Sequence, residues 1–319
     1  MSDQVKDAYD VVVIGGGAAG LNGALQLARS RRSVLVVDAG QQRNRPAPAV
    51  HGLLGHDGRP PAELLARGRD EVRRYGGEVA DGEVTAIGGE LVAGFTVTLG
   101  DGRAVLARRL LVTSGLVDEL PGIPGLRERW GRDVVHCPYC HGWEVRDQPI
   151  GVLASGPRSV HQALLFRQLS DDVVYFRHGT ALDDASAAQL AARGIPVVDG
   201  AVCAVLVADD HVAGVRLADG SIVPRRAIAV AARMTARAGF LADLGLKASE
   251  HPSGMGSHIP ADPAGRTEVP GVWAAGNVTD LAAQVGAAAA AGALAGAVIN
   301  ADLVEEETTL AVAVAAQAG

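Results

Sequence analysis

Apolar positions along the chain fall into short runs separated by glycine-rich turns, and one order of elements occurs twice. Tyr9 to Ile14 is an almost unbroken β-branched run, the pattern of a strand buried on both faces. A glycine cluster follows, then Leu21 to Arg29 with helical spacing, then the apolar run Ser33 to Asp38. Strand, loop, helix and strand in that order form the mononucleotide-binding unit of doubly wound α/β folds. The order returns at Pro149: Ile150 to Leu153 reads as strand, Ala154 to Pro157 as loop, a helix runs through Leu169, and Asp172 to Arg177 reads as strand. Gly271 to Asn277 then reads as a strand entering a loop, with an Ala/Gly-rich helix after it. The expected fold class is α/β, with two Rossmann-like, doubly wound nucleotide-binding domains. Boundaries are expected in two Gly/Pro-bearing stretches, near Leu116 to Gly125 and near Arg233 to Gly239.

Composition narrows the class. The 319 residues are 48% hydrophobic and 20% charged, enough apolar material for about two ordinary domains. A net charge of -7 offers no basic face to nucleic acid, so none is expected as a partner. With three cysteines no disulfide framework holds the fold, and a cytoplasmic location is expected. Met1 to Asp10 shows no basic-then-apolar leader pattern. The Ala-rich stretch Val285 to Val298 is interrupted by Gly286, Gly292 and Gly296 and reads as too broken to span a membrane. Glu305 to Gly319 follows as a mobile or partner-packing tail.

The first glycine cluster, Gly15-Gly16-Gly17-Ala18-Ala19-Gly20, fits G-x-G-x-x-G between a strand and a helix. Glycines at 15, 17 and 20 allow a tight turn and close approach of backbone to a pyrophosphate, which the helix N-terminus attracts. Asp38, ending the next strand, is placed to accept from ribose hydroxyls. FAD and NAD both satisfy this loop.

Two cysteines stand out in His136-Cys137-Pro138-Tyr139-Cys140-His141-Gly142-Trp143-Glu144. Zinc, a pair of inert thiols and a redox dithiol are the three readings of such a pair. Zinc needs further ligands at suitable spacing, and the other cysteine, Cys203, lies alone in an apolar context read as core; no metal is expected. Inert thiols fit a polar loop rich in Pro and His poorly. A redox pair needs one sulfur toward its electron acceptor and one toward substrate. Position favours Cys140 for the first role and Cys137 for the second. His141 titrates near neutrality and is the candidate to take a thiol proton. Trp143 reads as core or wall.

Over nearly its whole length the chain resembles the low-molecular-weight thioredoxin reductase family of flavoproteins. Gly265 to Val278 resembles that family's second FAD motif, with Asn277 where an acid is usual. The resemblance implies FAD as cofactor and a homodimer. It further implies FAD contacts at Arg43, Asn44, His51, Val84, Gly276, Asn277, Gln284 and Val285, beside Gly15, Gly17, Ala18, Ala19, Gly20 and Asp38. On this reading residues 1–117 and 237–303 form the FAD domain. Residues 118–236 form a degenerate NAD(P)H-like domain carrying the dithiol, and 304–319 are the tail. The run Cys137-Pro138-Tyr139-Cys140-His141-Gly142 is similar to the dithiol oxidase branch, which closes disulfides of the gliotoxin, holomycin and romidepsin type. There the resemblance implies a small-molecule dithiol as substrate and oxygen as acceptor, giving hydrogen peroxide. The second glycine loop agrees: Ala154 and Ser155 replace glycines, Pro157 removes an N–H donor, and Arg177 and His178 replace the arginine cluster expected for an NADPH phosphate. The alternative is an NADPH- or ferredoxin-coupled reductase running the same relay in reverse.

Overall fold

The computed structural model describes residues 6–318; the first half of the polar N-terminal stretch and the last residue of the chain lie outside them. The first sheet grows from β1 (Ala8–Ile14), which lies between β2 (Val34–Asp38) and β6 (Ala104–Val112), parallel to both; β3 (Glu78–Asp81) is parallel to β2. Helix α1 (Ala18–Arg29) makes the crossover from β1 to β2, and α2 (Pro61–Arg74) precedes β3. A hairpin of β4 (Val84–Glu90) and β5 (Gly94–Leu99) extends antiparallel from the first half of β6. Successive residues of β1 serve opposite faces. Val11 and Val13 pack with Leu21, Ala24 and Leu27 of α1, while Val12 and Ile14 pack with Ile87 and Phe95 of the hairpin. Both faces are covered, which is why the run shows no alternation in sequence.

The chain leaves this sheet through β7 (Leu116–Glu119) and enters a second, five-stranded parallel sheet. It contains β8 (Val134–Val135), β9 (Ile150–Leu153), β10 (Val173–Phe176) and β11 (Val197–Val198). Between β8 and β11 lie α3 (Pro138–His141), α4 (Ser159–Phe166) and α5 (Asp184–Ala192). An antiparallel ribbon, β12 (Val202–Ala208), β13 (His211–Leu217) and β14 (Ile222–Val223), packs beside the sheet before β15 (Ala227–Val230) completes it. The strand order is β11-β10-β9-β15-β8. The chain returns along β16 (Arg233–Ala236), antiparallel to β7. A short pair, β17 (Ser249–Glu250) and β18 (Ser257–His258), leads to β19 (Val272–Ala274), which rejoins the first sheet beside the second half of β6, and to α6 (Val285–Ala318).

Four expectations are corrected. Helix α4 ends at Phe166, and residues 167–169 form a turn in which Leu169 N–H bonds the Phe166 carbonyl. The glycines read as making the Ala-rich stretch too broken to span a membrane lie within one continuous helix. Gly292 sits where α6 crosses α1, and a Cβ there would lie 1.9 Å from the Ala19 carbonyl oxygen. The tail is not a separate element either, because α6 continues unbroken to Ala318. Its acidic run is docked: Arg109 pairs with Asp302 at 2.6 Å, Arg108 with Glu306 at 2.6 Å, and Arg32 with Glu307 at 2.5 Å. By length and composition α6 is apolar enough to cross a membrane; here its first half packs on α1 through Ala295, Ile299 and Leu303. Finally, Cys203 and Trp143 are exposed, not core. A bulge between Val202 and Ala204 turns Cys203 outward between inward Val202 and Val205 of β12, and Trp143 carries the Arg146 guanidinium 4.0 Å above its ring.

Candidate active site

Where β1 ends, Gly15 turns the chain with φ +108, and a Cβ on it would strike the Thr113 carbonyl of the next strand at 2.4 Å. The turn aims the N-terminus of α1 outward. Gly17 is its N-cap, with no side chain bonding the first-turn amides and no acidic residue in that turn. Space is open around the missing Cβ of Gly17. Free amides at the positive end of a helix form an anion cradle. Gly20 does a different job: its Cβ would lie 1.9 Å from the Gly15 carbonyl oxygen, so this glycine lets the helix close on its own loop.

The cradle opens into a cavity of about 980 Å³, near the upper end of the ~300–1,000 Å³ found for small-molecule sites. Gly15, Gly17, Ala18, Ala19, Asp38, Arg43, Asn44, His51, Val84, Asn277, Gln284 and Val285 all line it, as do Cys137, Cys140 and His141. Gly20 and Gly276 do not; they shape the walls from behind. Asp38, buried at the end of β2, accepts from the Gly40 amide at 3.1 Å, from Gln42 Nε2 and from the Arg69 guanidinium. A ribose reaching Asp38 would share a carboxylate that already holds these groups. Asn277 donates Nδ2 to the carbonyls of Asp280 and Ala283 at 3.0 and 2.9 Å. Those carbonyls fix the amide's orientation and leave Oδ1 as an acceptor, the capacity a carboxylate would offer, without the charge. Free amides at α1, a neutral acceptor at Asn277 and the one cavity that both line fit FAD.

At the other part of the same cavity, Cys137 caps α3 and Cys140 lies within its single turn, the sulfurs 2.7 Å apart and both thiols free. Their surroundings split them. The hydrogen bond from Cys140, helped by the Cys140 and Tyr139 amides and by Arg43, outweighs burial and lowers Cys137 to about 7. Cys140 is pushed strongly upward by that same bond and by burial. One sulfur is therefore a thiolate near neutral pH and its neighbour keeps its proton. Arg43 is itself held by Asp118 in a two-pronged pair at 2.7 and 2.8 Å. His136, before the pair, bonds the Val230 carbonyl at 3.2 Å, and burial with the nearby Arg43 lowers its proton affinity. His141 is also lowered, chiefly by burial and also by His51, while Glu144 pulls the other way. Both of its ring nitrogens are buried with no hydrogen-bond partner among the described residues.

The second glycine loop also lines the cavity, through Ser155, Gly156 and Pro157. Two of its amides, those of Ser155 and Gly156, are already used. Ser159 Oγ accepts from the Ser155 and Gly156 amides at 3.1 and 3.2 Å, and Ser155 Oγ donates to the Ala231 carbonyl at 2.7 Å. Beyond β10, Arg177 donates to the Thr180 carbonyl and to Asp199, and His178 Nδ1 accepts the Val202 amide. Arg177 and His178, which stand where phosphate-binding arginines are expected, are thus engaged within the protein. Sequence reasoning missed Ser159, Asp118, Arg69, Gln42 and Glu144. Ser159 opens α4 but bonds backward into the loop, outside the N-cap pattern that marks serine at helix starts. The others act through folded contacts that no local pattern announces.

Residues 9–295 match the family described as pyridine nucleotide-disulphide oxidoreductase. "Thioredoxin reductase tcpT" of Claviceps purpurea (strain 20.1) is 31% identical over 94% of this chain and 96% of its own. "Probable thioredoxin reductase" of Arthroderma benhamiae (strain ATCC MYA-4681 / CBS 112371) is 36% identical, over 54% of this chain and 44% of its own length, so the match spans less than half of that relative. Among solved structures, the crystal structure of HlmI has 48% identity and a TM-score of 0.92, covering 99% of both chains. The mixed α/β architecture, the nucleotide loop, the adjoining dithiol and these likenesses agree: the chain belongs to the pyridine nucleotide-disulphide oxidoreductase family and is a thioredoxin reductase-like flavoprotein.

Proposed function

We propose that this protein is an FAD-dependent dithiol oxidase that closes a disulfide in a small-molecule dithiol, with oxygen as final acceptor. The observation that carries the reading is the contrast between two loops on one cavity. No side chain caps either α1 or α4, but ahead of α4 the Ser155 and Gly156 amides are taken by Ser159 Oγ and Pro157 has no N–H, whereas the loop ahead of α1 is glycine at 15, 16 and 17. An enzyme with such a second loop is poorly equipped to draw hydride from NADPH and well equipped to draw electrons from a thiol substrate. The names of the reductase relatives support the alternative, in which the same dithiol reduces a protein disulfide.

FAD would be held by Gly15, Gly17, Ala18, Ala19 and Asp38 at one end and by Asn277, Gln284 and Val285 at the other, all on the cavity wall. When bound, FAD supplies two-electron oxidation of the reduced cysteine pair and reoxidation by oxygen, with hydrogen peroxide as product. The protein's sulfurs do the exchange. A substrate thiolate attacks Cys137 Sγ of the Cys137–Cys140 disulfide, a new S–S bond forms, and the Cys140 sulfur leaves with the bonding pair and takes a proton. The second substrate thiolate then attacks the substrate sulfur of the mixed disulfide and expels Cys137 as thiolate. The substrate loses two electrons and two protons; one proton ends on Cys140 and one in solvent. That final distribution matches the protein's own preference for a Cys137 thiolate beside a Cys140 thiol. A cytoplasmic homodimer is part of the proposal, resting on the low thiol count and the family resemblance.

The test mixes the purified flavoprotein without oxygen with either a vicinal small-molecule dithiol or NADPH. Bleaching of the flavin by the dithiol, with oxygen uptake on aeration, is expected. Rapid bleaching by micromolar NADPH, with thioredoxin disulfide reduced, would replace this reading by the reductase.

A further inference from the structure

Helix α4 turns one stripe of side chains toward the cavity. Arg158, His161, Gln162 and Leu165 all line it, at the i, i+3, i+4 and i+7 positions that share a helix face. The disulfide exchange uses none of them. Gln162 is 7% exposed, and its Nε2 donates at 2.6 Å to the His136 carbonyl, on the peptide that leads into Cys137. Its Oε1 is buried with no hydrogen-bond partner among the described residues. A buried acceptor left unpaired is costly, so it marks a place where a donor belongs. Arg158, one turn nearer the loop, is exposed and brings Nη1 to 3.3 Å from Met255 Sγ. No carboxylate pairs with it among the described residues, whereas Arg43 and Arg233 on the same wall pair with Asp118 and Glu250.

The two side chains ask for opposite groups. Arg158 offers charged donors to an anion, and Gln162 Oε1 accepts from a donor. Neighbours at i and i+4 are close enough for one small group to reach both. We propose that this face of α4 recognises an N-acyl amino-acid carboxylate on the dithiol substrate, with the carboxylate on Arg158 and the amide N–H on Gln162 Oε1. This rests on the dithiol-oxidising reading above and names a substrate class within it. A nucleotide phosphate fits the same wall poorly. The Ser155 and Gly156 amides are held by Ser159 Oγ, and Pro157 has no N–H. A phosphate would therefore find Arg158 alone, and its oxygens would face the Gln162 acceptor. Because Gln162 is tethered to the residue before Cys137, the substrate is held beside the sulfur that its thiols must reach.

Three reduced probes separate the two contacts. Dihydrolipoyl-glycine carries both groups, dihydrolipoyl-glycinamide lacks the carboxylate, and dihydrolipoyl-sarcosine lacks the N–H. Oxygen uptake by the holoenzyme gives kcat/KM for each. Dihydrolipoyl-glycine should exceed its amide by about 10- to 100-fold, as for a hydrogen bond to a charged group, and the sarcosine probe by about 3- to 10-fold, as for a neutral one. In Arg158→Met the acid-to-amide ratio should fall to near one while the glycine-to-sarcosine ratio persists; Gln162→Met should do the reverse. Arg158 is exposed, so its variant tests the site even if the buried substitution at Gln162 prevents folding. Parent ratios near one, or ratios that survive these substitutions, would overturn the assignment and leave the oxidase reading standing. Competitive inhibition by micromolar NADPH, relieved in Arg158→Met, would give the wall to a nucleotide and overturn it as well. No oxygen uptake with any of the three probes would overturn the oxidase reading, and this assignment with it.

Discussion

Arg43 grips Asp118 through two parallel hydrogen bonds, of 2.7 and 2.8 Å, at the rim of the cavity that holds Cys137. Asp118 lies on β7, so the pair joins the loop after β2 to the strand on which the chain leaves the first sheet. The guanidinium does more than brace that junction, because its charge favours the Cys137 thiolate.

Replacing Arg43 by Met should raise the Cys137 midpoint. In the parent, alkylation of the reduced protein by iodoacetamide should rise as pH passes through about 7. In Arg43→Met the rise should come at higher pH. Asp118 is left without its partner at 7% side-chain exposure, so stability should also fall, by about 1.5–3 kcal/mol for hydrogen bonds to a charged group. Denaturant unfolding measures the second effect independently of the first.

The two cysteines should titrate as a pair. The largest influence on Cys137 is the hydrogen bond from Cys140, so Cys140→Ala should raise Cys137. Cys137→Ala should lower Cys140, though burial still holds it high. Alkylation profiles of the two single variants, compared with the parent, check both signs. Either variant should abolish disulfide exchange while flavin absorbance is retained, since the cradle at α1 contains neither sulfur.

How much of this was readable in the sequence depends on how local each feature is. The first nucleotide unit and the dithiol are encoded within short windows, so periodicity and spacing reveal them. Asp38 and Arg69, 31 residues apart, or Arg43 and Asp118, 75 apart, meet only after folding. An apolar neighbourhood does not say which side of a strand faces out; a bulge between Val202 and Ala204 breaks the alternation of β12 and leaves Cys203 exposed between inward Val202 and Val205. The tail lacks aromatics and stays outside the core, exposed from Glu307 to Gln317, but that lack says nothing against a helix. Alanine and glutamate are strong helix formers, and the acids found Arg108 and Arg109 some 197 to 199 residues earlier in the chain.

Removing the hydroxyl that holds the second loop gives a third prediction. Ser159→Ala should cost about 1 kcal/mol, the usual net worth of a hydrogen bond, since its hydroxyl holds the Ser155 and Gly156 amides of the loop, visible as a lower unfolding midpoint. It should not make NADPH a reductant, because Pro157 still lacks a donor and Arg177 stays paired with Asp199. Anaerobic flavin absorbance with excess NADPH tests this. Bleaching in the variant but not in the parent would make Ser159 alone the barrier.

A fourth concerns the cavity wall. Gly292→Ala puts a methyl group 1.9 Å from the Ala19 carbonyl oxygen, so α6 must shift away from α1. Overpacking of this kind costs about 1–3 kcal/mol. Ala19 and the first turn of α6 both line the cavity, so flavin affinity should weaken with stability. Retained affinity, measured by fluorescence titration of the apoprotein, would show that the two helices separate without moving the wall.

The same helix has a practical consequence for engineering. From Glu307 to Gln317 each residue of α6 is exposed, a rod of roughly 16 Å at ~1.5 Å per residue held at its base by Arg32, from the turn before β2, and by Arg108 of the first sheet. A label, dye or surface tether joined there would stand clear of the catalytic chamber on a stiff mount of known direction. Distances measured from such a probe would then report movements of the enzyme body rather than the wandering of a flexible linker.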